Sequence, residues 1–293
     1  MDGWDSHPWL EGERISQVGL RIVVKCPAAD GHGFVAKKLG GLRSHMYGQA
    51  YMLKYATEIA GVQAPKLHHV YRDENAVLMV TDFDSGTGLD VIWKNLDNAD
   101  KISIKKELQE QIRRMRACTQ SSICRVNNTG QSDPRLTFRN PYQPGIASSC
   151  TAFTTEEEFD SYKINELYKR HPPSADRLRN KIKKLSEDYS QKFVLTHGDL
   201  NARNILVKCV IEAGRPVWRI SAILDWETSG FFPEYMEYAQ ARISISHNSP
   251  RGWRDFLVDL LEEIDADCSE ERIKAEDLAT ERILDFRSGC VCL

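Results

Sequence analysis

Residues able to do acid–base and metal chemistry gather in two short segments of the sequence. The first is Phe193-Val-Leu-Thr-His-Gly-Asp-Leu-Asn-Ala-Arg-Asn-Ile-Leu-Val207, where His197, Asp199 and, five positions after that aspartate, Asn204 stand between two apolar runs. The second is Ser221-Ala-Ile-Leu-Asp-Trp-Glu227, an apolar run ending in Asp225, 26 residues beyond Asp199. Phosphoryl transfer asks for such a set. A carboxylate must orient the attacking hydroxyl and accept its proton, and oxygen ligands a few ångströms away must hold the Mg2+ that spreads the phosphate charge. Asp199 suits the first task. Asn204 and Asp225 suit the second, because Mg2+ is commonly bound by one or two carboxylates completed by phosphate oxygens. A lone aspartate at a strand end is usually a turn former; it is the two segments together, in this order and spacing, that carry the chemical reading.

The elements that must position these residues fall into two parts. Arg14–Val18, Leu20–Cys26 and Gly33–Leu39 read as strands, followed by a helix over His45–Ile59 and strands at Pro65–Val70 and Ala76–Val80. The order βββ-α-ββ predicts a small, largely antiparallel sheet with one helix against it. A polar segment, Thr81-Asp-Phe-Asp-Ser-Gly86, ends this part, and the division falls between a 1–83 lobe and an 84–293 lobe. The second lobe is mainly helical. Ile104, Leu108, Ile112 and Met115 make a helical stripe over Lys101–Cys118, residues 119–150 read as a long irregular segment, and Thr155-Glu-Glu-Glu158 reads as a capping box opening a helix. The stretch 176–190 reads as a basic amphipathic helix with a solvated face. Asn204–Val210 and Val217–Leu224 read as strands, and Trp253, Phe256, Leu257, Leu260, Leu261 and Ile264 as the buried face of a last helix.

Composition narrows the partners. The chain has 293 residues, 41% of them hydrophobic and 28% charged, and a formal net charge of −3, which argues for a globular protein and against nucleic acid as a main partner. No apolar run approaches the roughly 20 residues of a membrane span, and the acidic start MDGWDSHPWLEGER is unlike a secretory leader. A soluble, cytoplasmic protein is expected. Six of the eight cysteines stand apart, with no CxxC pair, and read as reduced thiols. The terminal Cys290-Val-Cys-Leu293 fits the pattern of a prenylated cysteine. With no basic run before it, Cys290 would give only a weak lipid anchor, and an ordinary apolar tail is the better account of it.

THGDLNARNILV followed by ILDWETSGFFPEYMEYAQ resembles the aminoglycoside phosphotransferase and choline kinase-like family, in its fungal branch; VAK, APK and LMVTDFDSGTGL extend the resemblance over nearly the whole chain. The resemblance implies an α+β, bilobal protein-kinase-like fold, with a small antiparallel sheet and one helix in the N-terminal lobe and a larger, mainly helical C-terminal lobe. It also implies ATP and Mg2+ between the lobes and a small-molecule hydroxyl acceptor over the second. Asp199 would be the catalytic base, Asn204 and Asp225 the metal ligands, and His197 an orienting member of the catalytic loop. The backbone at Thr81, Asp82 and Phe83 would meet the adenine. Lys37 on the third strand is the expected ATP-contacting lysine, with Lys25 as the alternative and Lys38 behind it.

One departure stands out. The family keeps a glutamate on the helix after that lysine, but no acid occurs from Gly31 to Thr57, and Gln49 takes the position. An amide can accept a hydrogen bond from lysine but loses the ionic part. A catalytically silent, kinase-like binding protein is therefore the competing reading, alongside an active small-molecule kinase. The acceptor is expected to be a hydroxylated amine. Glu227, Glu234 and Glu237 alternate with Trp226, Phe231, Phe232, Tyr235 and Tyr238, and an aromatic face beside a carboxylate suits a cation.

Overall fold

The computed structural model describes residues 12–18, 21–26, 34–40, 43–72, 76–126, 152–169, 172–184, 192–243 and 249–264. The chain opens with strands β1 (Glu13–Val18), β2 (Arg21–Cys26) and β3 (Phe34–Gly40), helix α1 (Arg43–Glu58), and strands β4 (Leu67–Arg72) and β5 (Ala76–Asp82). The five strands form one sheet in the order β1-β2-β3-β5-β4, antiparallel throughout. Alternation along β5 divides its two faces. Leu78 and Val80 close a small cluster with Val24 and Cys26, whereas Met79 joins Ala50, Met52 and Leu53 of α1 in the main core.

A short strand β6 (Thr87–Gly88) and helix α2 (Leu89–Ile92) lead to the long helix α3 (Asn98–Arg116). That helix starts earlier than its apolar stripe predicts, because Asp97 caps it: Asp97 Oδ1 accepts the Asp100 N–H at 2.8 Å, and Asp100 Oδ2 accepts the Asp97 N–H at 3.3 Å. Strand β7 (Thr119–Gln120) and a bridge between Ile123 and Phe153 lie within or against the stretch read as irregular, most of which falls outside the described residues. Helix α4 (Glu156–Tyr168) begins as predicted, with Thr155 Oγ1 accepting the Glu158 N–H. Helix α5 (Pro172–Ile182) begins before the predicted 176, since proline at a helix start has no N–H to leave unpaired.

Strands β8 (Phe193–Thr196), β9 (Ile205–Glu212), β10 (Arg215–Ile223) and β11 (Gly230–Phe232) follow, then α6 (Tyr235–Ile243) and α7 (Trp253–Glu262). They build two three-stranded sheets, β10-β9-β6 and β11-β8-β7. One apolar core runs from Met52 of α1 through Ile104 and Ile112 of α3 to Leu260 and Leu261 of α7. None of the described helices is long and apolar enough to cross a membrane. The Cys290 terminus lies outside the described residues.

Helix α7 also reaches the reactive loop. The Trp253 ring stacks on Phe256 and meets Trp93 edge-on, and its Nε1–H donates to the Leu200 carbonyl at 3.3 Å. Trp253→Phe keeps the ring packing and removes the donor. It should lower stability by about 1–3 kcal/mol, the cost of leaving a buried polar group unpaired, seen as a fall of several degrees in thermal midpoint. An unchanged midpoint would show that this bond contributes nothing.

Candidate active site

The first chemical segment emerges from β8, whose four side chains are all buried, and turns sharply at Gly198. Gly198 has φ +77°, and a Cβ there would come within 3.1 Å of the Thr228 carbonyl oxygen, so glycine meets both the left-handed backbone and the close approach. The turn is held from beneath by Glu237 of α6. Its carboxylate accepts the His197 N–H at 2.6 Å and the Gly198 N–H at 3.1 Å.

His197 binds this loop to the second segment. Its Nε2 lies 2.9 Å from the Leu224 carbonyl and its Nδ1 accepts the Asp199 N–H at 3.2 Å, an arrangement that places the proton on Nε2. Burial lowers its pKa from the ordinary histidine value, against the opposing pull of the Glu237 and Asp225 carboxylates. With both ring nitrogens engaged, His197 is an orienting group. Thr228 Oγ1 donates back to the His197 carbonyl at 2.9 Å, and the Leu224 N–H donates to the Asn204 carbonyl at 2.7 Å. The two segments, distant in sequence, are thus laced into one unit.

Asp199 faces the open side, with its side chain 24% exposed. Its Oδ2 accepts from Arg203 at 3.0 Å and from Asn204 Nδ2 at 3.0 Å, and the same Asn204 nitrogen reaches the Asp199 carbonyl at 2.9 Å. Burial raises the Asp199 pKa to about 6, opposed by Arg203 and aided by the charges of Asp225 and Glu227. Because the Asn204 amide spends its N–H groups on Asp199, the atom it can offer a cation is Oδ1. Asp225 follows β10 at φ +65°, left-handed although not glycine, and its Oδ1 accepts from Gln49 Nε2 of α1 at 3.4 Å.

Asn204 Oδ1 and the Asp225 carboxylate, with Asp199 beside them, offer oxygen donors alone, the kind that Mg2+ takes. Among the described residues there is no group of three or more His, Cys, Asp or Glu side chains that could hold a metal. A metal at this site would therefore draw its remaining ligands from a phosphate-bearing substrate or water.

The other expected residues are distributed unevenly. Thr81 is buried, and Asp82 is committed to the sheet: its N–H donates to the Lys66 carbonyl at 3.0 Å, and its carboxylate meets His68 Nε2 at 2.5 Å and the Lys66 N–H at 3.3 Å. Phe83 lies beneath the Lys25 ammonium, 4.3 Å from its ring centroid. Lys25 pairs in register with Val35, which in turn pairs with Thr81, whereas Lys37 pairs with Val23 and Met79, two positions further along β5 from this end. The side chains of Lys37 and Lys38 are outside the described residues.

The acceptor face needs correction. Phe231, Phe232 and Trp226 are core, Tyr235 and Tyr238 are buried, and the Glu237 carboxylate, 2% exposed, is occupied by the loop N–H groups. Glu237 therefore offers nothing to an acceptor. Residues 226–238 look like one stripe in the sequence, but β11 and α6 turn most of it inward. Glu234 is exposed, and Glu227 lies close enough for its charge to raise the Asp199 pKa.

Two groups had no signal in the sequence. Asp84 accepts from Lys208 at 2.9 Å, Ser221 at 2.8 Å and the Gly86 N–H at 2.7 Å, tying the segment after β5 to the β9–β10 hairpin. Burial acts to raise the Asp84 pKa, but these bonds outweigh it and bring it below the ordinary value. Arg125 is buried, and its guanidinium donates to the Glu227 carbonyl at 2.6 Å. Both depend on residues over a hundred positions away, which no local pattern marks.

A model of the phosphotransferase enzyme family matches residues 42–279. No curated protein matches the sequence. Among solved structures, a thermostable mutant of aminoglycoside phosphotransferase APH(4)-Ia superposes with a TM-score of 0.60 at 15% identity, covering 94% of this chain and 88% of that one. A putative fructosamine-3-kinase from Thermobifida fusca gives 0.58 at 13% identity, over 93% and 85% of the two chains. Aminoglycoside phosphotransferase APH(3'')-Id from Streptomyces rimosus gives 0.55 at 13% identity, over 94% and 93%. At these identities the likeness is one of fold, and the fold is the bilobal, protein-kinase-like one.

Glu237→Gln tests the corrected assignment. Glutamine loses the charge and turns an NH2 donor toward backbone N–H groups that need acceptors, so the variant should lose about 1–3 kcal/mol of stability. Its turnover should fall by about tenfold for each 1.4 kcal/mol lost from transition-state positioning. Normal stability with a selective rise in acceptor KM would return Glu237 to the acceptor.

Proposed function

The chain belongs to the phosphotransferase enzyme family, and from that premise we propose that it transfers the γ-phosphate of ATP to a hydroxyl of a small molecule, a hydroxylated amine. The observation that carries this reading is the shared unit of Asp199 and Asn204, bonded to each other and laced through Leu224 to the turn that bears Asp225. Asp199 would orient the acceptor hydroxyl and take its proton. Its raised pKa makes it a better proton acceptor than an ordinary aspartate while leaving it largely ionised at neutral pH. Asn204 and Asp225 would hold Mg2+, which when bound neutralises charge on the phosphates. His197, neutral and engaged at both nitrogens, would keep the loop in place.

Lys37 is favoured over Lys25 as the ATP-contacting lysine, because the Lys25 ammonium is already over Phe83 at the hinge end of the sheet. Adenine would be met by the backbone of Thr81 and Phe83 and by the Asp82 carbonyl, whose second lone pair is left after it accepts the Thr81 hydroxyl, since the Asp82 N–H is engaged. Glu227 and Glu234 remain the carboxylates proposed for a cationic acceptor, through Coulomb attraction rather than a shared aromatic face. The need for ATP and a metabolite acceptor fits a cytoplasmic protein. Gln49 supports a second reading, a catalytically silent nucleotide-binding protein, because its bond goes to Asp225 where an acid would engage the strand lysine.

Incubation with γ-labelled ATP, Mg2+ and a panel of hydroxylated amines separates these readings. Labelled product is expected, with turnover of Asp199→Asn lower by about 10²–10⁴. Near-normal turnover in that variant would remove Asp199 from the role, and Mg2+-independent nucleotide binding without transfer would favour the silent protein. The acceptor class is read from Glu234→Gln and Glu227→Gln, which should raise the amine KM more than that of ATP. Efficient use of neutral alcohols, unaffected by either change, would contradict a cationic acceptor.

A further inference from the structure

Arg125 joins two parts of the site contributed by distant regions of the chain. One arm of its guanidinium donates to the carbonyl of Glu227, two residues past Asp225, at 2.6 Å. The other lies against α1 at Gly48: a Cβ built there would fall 1.8 Å from Nη1 and 2.6 Å from Cζ of Arg125. Glycine inside a helix costs about 1 kcal/mol relative to alanine, so a notch at this position has a packing reason. The notch holds a charged side chain that is only 4% exposed. The next residue of α1 is Gln49, whose amide reaches Asp225 Oδ1 at 3.4 Å. Helix α1 and the Asp225 turn are therefore connected twice, through Gln49 to the Asp225 carboxylate and through Arg125 to the Glu227 carbonyl.

We propose that Arg125 is a positioning residue for the metal site, seated in the Gly48 notch and bonded to the Glu227 carbonyl so that α1 and the left-handed Asp225 turn stay in fixed register. The inference rests on the phosphotransfer reading, because it supposes that Asp225 serves a metal–nucleotide complex. It also gives a physical account of the missing helix acid. With glutamine at position 49, the helix has no ionic hold at that point, and the planar guanidinium of Arg125, packed in the Gly48 notch and bonded to the Glu227 carbonyl, supplies a tie from a different segment.

The test is a double-mutant cycle on Gly48 and Arg125, read as the Mg2+ concentration that half-saturates binding of a fluorescent ATP analogue. Arg125→Met should raise that concentration by about 10- to 100-fold, the usual effect of removing a residue that orients a metal ligand. Arg125→Lys, which keeps one donor, should recover part of the loss. Gly48→Ala should act like Arg125→Met, because its methyl displaces the guanidinium. In an Arg125→Ala background the same methyl has room, because the Arg125 Cδ that would lie 2.8 Å from it is gone along with the guanidinium, so its effect should vanish. That non-additivity is the signature of a shared interaction. A residue that merely stabilises the fold would lower the thermal midpoint and leave the Mg2+ requirement unmoved. If Arg125→Met does not accumulate as folded protein, Gly48→Ala and Arg125→Lys carry the comparison. Wild-type Mg2+ dependence in these variants, or additive effects in the cycle, would overturn the proposal while leaving phosphotransfer intact. Absence of Mg2+-dependent nucleotide binding in the wild-type protein would overturn the phosphotransfer reading, and this proposal with it.

Discussion

Asp225 is held at φ +65°, and much of the surrounding structure exists to hold it there. A left-handed backbone on a residue with a Cβ costs of the order of 1–3 kcal/mol and persists only where its neighbours over-determine it. Here they do. Leu224, just before the turn, is bonded through both its N–H and its carbonyl to the Asp199 loop. Just after it, Trp226 Nε1–H donates to the Ile223 carbonyl at 3.0 Å, and the Trp226 carbonyl accepts the Ser229 hydroxyl at 2.7 Å. The strain sets a carboxylate close enough to Asp199 for its charge to act there, instead of letting it continue along β10, as the proposed metal role asks.

The same turn explains why so many polar groups are buried in this part of the protein. His197, Glu237, Asn204, Ser229 and Arg125 are all nearly inaccessible. A buried polar network is costly when half satisfied and rigid when complete. Glu237 illustrates the balance: burial raises its pKa, while the charge of Arg116 and the His197 and Gly198 N–H groups oppose that rise. Beside these buried groups the Asp199 carboxylate keeps partial exposure, with Arg203 paired to it.

The five-strand sheet with one helix, the Thr155 cap and the buried face of α7 were legible in the sequence because each is written in local periodicity or capping chemistry. So was the pairing of the His197–Asn204 segment with Asp225, since both sit at the ends of apolar runs whose spacing the chemistry constrains. What failed was the orientation of residues 226–238. Aromatics and carboxylates in alternation look alike whether they line a pocket or fill a core, and only the turn at Pro233 between β11 and α6 decides that Glu237 points inward and Glu234 outward. Arg125 and Asp84 were invisible for another reason. Each gains its meaning from partners far away in the sequence, and a lone arginine in a polar stretch carries no period, cap or motif.

The central claim is that the reactive loop is assembled before any ligand arrives, with Glu237 and His197 as its internal supports. Amide hydrogen exchange at His197 and Gly198 in the ligand-free protein measures this directly, because exchange of a buried, bonded N–H requires the loop to open. The account predicts protection matching that of the β8 core strand, so that both amides exchange only with global unfolding. Exchange as rapid as that of an exposed loop, slowed only when nucleotide and Mg2+ are added, would contradict it and show that the ligand builds the site.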